Sequence, residues 1–196
     1  MRAMDEGSFL VTQDYKVLLV GRSGSGKTTA IASVSEIPAL STEVMTTDHA
    51  VTGKTNTTVG FDYGELTIPG GNNRMRLYGA PGQPRFDFMW NILERGSTGI
   101  LLLADNHRPD PLEETRLYLR AFKSKFMQGS TVALLGIVKS DLSPFPGISQ
   151  YQRLLKEEGL SMPVALLDAR RQDSVLLVLK VLFHQLARAR IQEVIH

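Results

Sequence analysis

Gly21, Gly26, Lys27 and Thr28 stand at the spacing G-x-x-x-x-G-K-T, within the run Gly21-Arg22-Ser23-Gly24-Ser25-Gly26-Lys27-Thr28-Thr29. That combination points to a phosphate-binding loop. Glycines let the backbone curl until successive N–H groups converge on one anion. Lys27 would then reach the β/γ-phosphates, and the Thr28 hydroxyl would ligate Mg²⁺. A helix opening at Lys27 adds the positive end of its dipole to the same place. A flexible Gly/Ser turn is the plain alternative. The apolar run Val17-Leu18-Leu19-Val20 before the loop and the helical spacing of Ala30, Ile31 and Val34 after it favour the phosphate loop.

The elements that must position this loop are legible from periodicity. Residues 1–14 form a polar lead-in, and residues 15–196 read as a single domain. Tyr15 to Val20 is the first strand, and the helix after Lys27 ends before Pro38. From Ala39 to Thr57 there is little apolar periodicity, which predicts a long functional loop. Val59, Phe61 and Tyr63 alternate as in a strand and, across the turn cluster Pro69-Gly70-Gly71-Asn72-Asn73, pair with the strand of Met75 and Leu77 as a hairpin. Phe86 to Leu93 reads as a short helix, with Phe86, Met89 and Trp90 packing toward the core. Gly99 to Ala104 and Val132 to Val138 are continuous apolar strands, and Val164 to Leu167 is the last. Helices follow over Leu112 to Phe126, Tyr151 to Glu158, and from an Asp173 cap along Val175, Leu179, Leu182 and Leu186. The alternation predicts a three-layer α/β fold: a six-stranded, mostly parallel sheet with one antiparallel strand and helices on both faces.

Composition narrows the function classes. The chain has 196 residues, no cysteine and a net charge of +2. That excludes disulfides and thiolate metal sites, and the charge gives no argument for nucleic acid. Lys180, Arg188 and Arg190 read as a solvated helix face. The absence of an apolar leader and of a spanning run predicts a cytoplasmic protein without direct membrane insertion. The four histidines are scattered, so the only metal expected is Mg²⁺ on nucleotide.

Over nearly its whole length the chain resembles a Ras-like small GTPase. Thr58-Val59-Gly60-Phe61-Asp62-Tyr63 is similar to the end of the first switch of Rab-type proteins, and Leu77-Tyr78-Gly79-Ala80-Pro81-Gly82-Gln83-Pro84-Arg85-Phe86 to their second switch. Val138-Lys139-Ser140-Asp141 occupies the place of the guanine-reading segment, and Asp168-Ala169-Arg170 that of the last base-contacting loop. The P-G-Q and D-A-R endings resemble bacterial MglA-like GTPases of the roadblock-operon group. The resemblance implies GTP/GDP and Mg²⁺ as ligands, slow GTP hydrolysis, a roadblock (MglB-like) regulator, an effector of unstated identity, and a role in bacterial polarity or signalling. By the same resemblance Thr58 would close on Mg²⁺ and the γ-phosphate, Gly82 would offer it an N–H, and Gln83 would orient the attacking water. Asp141 would accept two hydrogen bonds from guanine, Lys139 would steady that loop, and Ala169 and Arg170 would border the base. On the residues alone, Thr58 also suits a strand start, Gln83 a turn, and Asp141 an Asx turn before Pro144.

Three departures matter. Gly79 stands where most Ras-like proteins carry an Asp that helps hold Mg²⁺, and Asp62 is the expected stand-in, since hairpin pairing brings it beside Gly79; a plain strand-rim carboxylate is the alternative. Val138 replaces the usual Asn before Lys139, so base selection falls on Asp141. Thr57 replaces the Arg of MglA-like enzymes, leaving Arg85 as the nearby arginine for catalysis. Two other classes stay open: a nucleotide-binding scaffold that hardly hydrolyses, and an ATP-using phosphotransferase on the same loop.

Overall fold

The computed structural model describes residues 13–38, 40–46, 57–68, 73–82, 90, 92–127 and 131–195, with side chains except at 41–46, 57–60 and 190–195. In chain order the elements are β1 (Asp14–Val20), α1 (Lys27–Val34), β2 (Leu40–Thr46), β3 (Thr57–Thr67), β4 (Arg74–Gly79), β5 (Gly99–Asp105), α2 (Pro111–Ala121), α3 (Lys123–Met127), β6 (Val132–Val138), α4 (Ile148–Glu157), β7 (Val164–Leu166) and α5 (Gln172–Ile195).

From Val17 to Val20 β1 is apolar without alternation because both its faces are covered. Val17 and Leu19 join α1 and α5 in one core, with Ile31, Val178 and Leu182. Leu18 and Val20 join α2 and α4 in the other, with Leu119, Phe122 and Tyr151. Each such side chain is worth about 1.5–3 kcal/mol of burial, so the central strands anchor the sheet. The sheet order is β2-β3-β4-β1-β5-β6-β7. β1 pairs parallel with β4 and β5, while β3 runs antiparallel to both β2 and β4. The expected three-layer fold with one antiparallel strand is therefore observed.

Three expectations need correction. The segment read as a loop from Ala39 contains β2, which adds a seventh strand to the six expected, paired Leu40↔Tyr63 to Thr46↔Thr57. Its sequence, Leu-Ser-Thr-Glu-Val-Met-Thr, is an edge strand with one paired side and so lacks a full apolar pattern. The helix expected over Leu112 to Phe126 divides at Phe122, whose backbone leaves the helical region while its ring stays buried. Asp173 is not the cap of α5: the helix opens at Gln172, and Asp173 sits in its first turn, bonded to Arg171 at 2.6 Å. The short helix expected over Phe86 to Leu93 lies mostly outside the described residues; Trp90, Ile92 and Leu93 are helical. Lys180 and Arg188 are exposed on α5 as expected, while the Arg190 side chain lies outside the described set.

α2 and the end of α4 are joined by charge. Glu158 accepts from Arg116 Nη1 at 2.7 Å and Arg120 Nη2 at 2.9 Å, and its side chain is 7% exposed. Hydrogen bonds from Arg120 and Arg116 hold its carboxyl down at about 2, against an ordinary 4.5. A lowered folded value gives stability that is complete above the unfolded value and fades as pH falls toward the folded one. Glu158→Gln is therefore expected to lower the urea midpoint above pH 4.5, with the difference closing as pH falls to about 2. A gap that persists at the acid end would refute the ion-pair origin.

Candidate nucleotide site

β1 ends at Val20 and the chain turns through Gly21 (φ +143°), Gly24 (φ +81°) and Gly26 (φ +91°) into α1. These positive φ values favour glycine. Space makes the same demand at Gly21, where a Cβ would lie 2.5 Å from the Leu103 carbonyl oxygen. Lys27 is 7% exposed, and its Nζ donates to the carbonyls of Gly21 and Arg22, both at 2.8 Å. Burial lowers its ammonium to about 8, against the pull of nearby Asp62, which raises it. A buried cation at a helix N-terminus, beneath a loop of turned-in amides, is suited to a polyanion. Ser25 lies within the loop, with a buried Oγ that has no hydrogen-bond partner among the described residues.

Beside Lys27, the Thr28 hydroxyl donates to Asp62 Oδ2 at 2.6 Å. The hairpin register places Asp62 directly opposite Gly79. A Cβ on Gly79 would lie 3.0 Å from that same Oδ2, so the carboxylate from β3 occupies the space that a side chain at the end of β4 would enter. Two hard oxygen donors at this spot fit Mg²⁺. Thr58 lies four residues earlier on β3, opposite Met45; its side chain is outside the described set.

Gly82 packs directly on the loop. Its carbonyl makes the contact, accepting from the Ser23 N–H at 3.3 Å. A Cβ there would lie 2.3 Å from the Ser23 nitrogen. The Tyr118 hydroxyl donates to the same carbonyl at 2.8 Å, and the Trp90 indole N–H donates to that of Pro81 at 2.8 Å. Burial pushes the Tyr118 hydroxyl up to about 12, so it stays a donor at neutral pH. The Trp90 ring packs, tilted, with centroids 5.2 Å from Tyr118 and 5.5 Å from Phe122, which bears out its packing role. Gln83, Arg85, Phe86 and Met89 lie outside the described residues.

The far end of the site is a cavity of about 210 Å³ bounded by Gly24, Gly26 and Thr29 on one side and by Lys139, Asp141 and Ala169 on the other. Lys139 adopts φ 57° and donates through Nζ to Asp105 Oδ2 at 2.7 Å, a carboxylate buried at the end of β5. Next to it, buried Asn106 donates to the Ser143 and Pro146 carbonyls and accepts from the Tyr151 hydroxyl. Together these bonds fix the loop that carries Asp141. Arg170 Nη2 donates to Asp141 Oδ2 at 2.8 Å and to Asp168 Oδ2 at 2.9 Å, and Arg170 Nε donates to Asp168 Oδ1 at 2.8 Å. Arg170 holds the Asp168 carboxyl down at about 2.

Of the expected residues, Gly24, Ser25, Gly26 and Thr29 of the loop thus share one cavity with Lys139, Asp141, Ala169 and Arg170. Sequence reasoning missed Asp105, Tyr118 and Ser174, whose hydroxyl accepts from the Asp168 N–H at 3.0 Å. Asp105 had a signal, since an acid closing an apolar parallel strand lies where such sheets bind ligands. Tyr118 had none, because it works through a backbone carbonyl 36 positions away, and Ser174, six positions after Asp168, reads from the sequence as an ordinary first-turn residue of α5.

A family described as "Conserved hypothetical ATP binding protein" matches residues 19–158. The chain is similar to Ras-related protein RabC of Dictyostelium discoideum, 27% identical over 132 residues, 65% of this chain and 61% of the relative. It is also similar to Ras-related protein Rab-13 of Canis lupus familiaris, 26% identical over 150 residues, 74% and 68% of the two chains. Ras-related protein RABA2a of Arabidopsis thaliana is 24% identical over 149 residues, 75% and 64%. The chain spans about three fifths to two thirds of the length of these relatives.

Proposed function

We propose, from the premise that the chain belongs to the family of conserved hypothetical ATP-binding proteins, that it is a small guanine-nucleotide switch of the Ras-like P-loop type. The observation that carries this reading is the cavity that the glycine loop, at Gly24, Gly26 and Thr29, shares with Asp141 and Ala169. The phosphate end accepts any nucleoside triphosphate. The base end is selective, because a carboxylate accepts from the ring N–H and exocyclic amine of guanine, whereas the matching edge of adenine offers it no such donor pair. The family description speaks of ATP; Asp141 favours guanine, and its chemistry is the more local evidence.

Lys27 and the loop amides would hold the phosphates, with Thr28, Asp62 and Thr58 supplying oxygens to Mg²⁺. The metal would neutralise charge building on the transferring group. Gln83 would orient water and Gly82 would report the γ-phosphate through its backbone. Arg22, the arginine of the loop itself, is paired with Glu114 at 4.0 Å. A positioned arginine then has to come from Arg85 or from a partner. Hydrolysis on this reading is slow, near ~10⁻⁴ s⁻¹, and a roadblock (MglB-like) regulator accelerates it ~10³–10⁵-fold. The MglA-like, cytoplasmic and bacterial-polarity assignments belong to the same proposal. Among the described residues no helix is long and apolar enough to cross a membrane. The Arg22–Glu114 pairing favours, as second reading, a scaffold that scarcely turns over.

Labelled GDP titrated against unlabelled ADP with Mg²⁺ tests the base. Displacement at least ~100-fold weaker for ADP is expected, since adenine forfeits two charge-assisted hydrogen bonds to Asp141 at roughly 1.5–3 kcal/mol each. Equal displacement by ADP would overturn the guanine reading. Single-turnover phosphate release with and without the regulator then separates switch from scaffold.

A further inference from the structure

We infer that Arg170 is a positioning residue for guanine selection: its guanidinium clamps Asp141 to Asp168 and so aims the carboxylate that reads the base. The inference rests on the guanine reading of the cavity. Two carboxylates, Asp141 and Asp168, converge on one nitrogen of Arg170, at 2.8 and 2.9 Å. Such a nitrogen carries two hydrogens, so each carboxylate takes one. The second guanidinium edge point, Nε, goes to Asp168 Oδ1 at 2.8 Å, making that pair bidentate and fixing the plane of the group. Asp168 is anchored in turn, since its N–H donates to Ser174 Oγ at 3.0 Å and its Oδ1 accepts from the Arg170 N–H at 3.0 Å.

Without the cation these two carboxylates repel, and Asp141, with a half-exposed side chain, is free to turn into solvent. Among the described residues no other hydrogen bond holds the Asp141 side chain. Val138, two residues before Ser140, is 2% exposed and offers no hydrogen bond from its side chain, and Lys139 is committed to Asp105. The clamp uses one lone pair of Oδ2 and leaves Oδ1 and the rest of Oδ2 to accept from a purine. A lysine cannot substitute, since a point charge lacks the planar fork that engages both acids.

Calorimetric titration of GDP and IDP, with Mg²⁺ present, tests this on the full chain. Hypoxanthine keeps the ring N–H of guanine but lacks its exocyclic amine, so the GDP/IDP ratio reports how well the Asp141 carboxylate is aimed. Arg170→Met is expected to lower that ratio about tenfold, mainly by weakening GDP. Asp168→Asn, which keeps Arg170 but removes half its anchor, is expected to lower it less. In an Asp141→Asn background Arg170→Met should leave the ratio unchanged. Equal losses for GDP and IDP, or an unchanged ratio in the single variants, would overturn the clamp. A parent protein that binds neither, or prefers neither GDP nor ADP, would instead overturn the guanine reading itself. Should Arg170→Met fail to fold, Asp168→Asn against Asp141→Asn decides the question.

Discussion

Replacing Lys27 with methionine is expected to remove nucleotide binding while leaving the nucleotide-free protein about as stable as the parent. The first half follows from what Lys27 would give a phosphate chain. Two charge-assisted hydrogen bonds at roughly 1.5–3 kcal/mol each correspond to a loss of about 10²- to 10⁴-fold in affinity. The second half follows from burial. The ammonium is lowered from 10.5 to about 8 by desolvation, partly offset by Asp62. The folded state then carries a charged group against about 3 kcal/mol below pH 8. Its two bonds to the Gly21 and Arg22 carbonyls are lost in the variant, which cancels most of the relief. Between pH 8 and 10.5 the folded parent gives up its proton while the unfolded chain keeps it. The unfolded state binds more protons in that window, so the parent gains stability as pH rises and the variant does not. Urea unfolding of both proteins at neutral pH and near pH 10 reads this directly. A variant that binds GDP like the parent, or a parent whose stability is flat across that window, would refute the role given to the buried ammonium.

The glycine-loop end of the candidate site was legible in the sequence because its residues are contiguous. Gly21, Gly26, Lys27 and Thr28 lie within one turn of chain, and their spacing encodes their geometry. Asp62 was legible one step further away, because period-2 alternation around Val59, Phe61 and Tyr63 sets a register, and the register sets Asp62 against Gly79. β2 was not legible, since an edge strand needs only its backbone to pair and places little demand on its side chains. The supporting bonds were hidden for a different reason. Tyr118 to the Gly82 carbonyl spans 36 positions, and Lys139 to Asp105 spans 34. Neither separation leaves a trace in local periodicity; each becomes readable only once the parallel order of β1, β5 and β6 is known. Arg170 stood in the expected last loop, yet its two carboxylate partners come from different segments, Asp141 after β6 and Asp168 after β7.

Asp62→Asn is expected to spare nucleotide binding in chelator and to abolish most of the gain that Mg²⁺ brings. The Thr28 hydroxyl already donates to Asp62 Oδ2 at 2.6 Å, so the carboxylate also orients the hydroxyl whose oxygen would face the metal. An amide keeps the size of the side chain and loses the charge. Removing such a partner costs about 10- to 100-fold in metal affinity, and the Mg²⁺-dependent rise in GDP or GTP affinity should shrink by that factor. A structural rim carboxylate predicts instead that both arms, with and without Mg²⁺, change together or not at all. Position can be separated from residue identity by moving the acid across the hairpin. Gly79 faces Asp62 in register, and a Cβ at Gly79 would point within 3.0 Å of the present carboxylate oxygen. With Asp62 cut back to glycine that space opens, and Gly79→Asp in the Asp62→Gly background is expected to restore part of the Mg²⁺ response. Ile31 Cδ1, 3.2 Å from the new Cβ, has to shift by a few tenths of an ångström to admit it. Rescue would mean that the metal site needs a negative oxygen at this point and is indifferent to which of two paired strands delivers it; Mg²⁺-insensitive binding in the double variant, with Asp62→Asn unaffected, would remove Asp62 from the site.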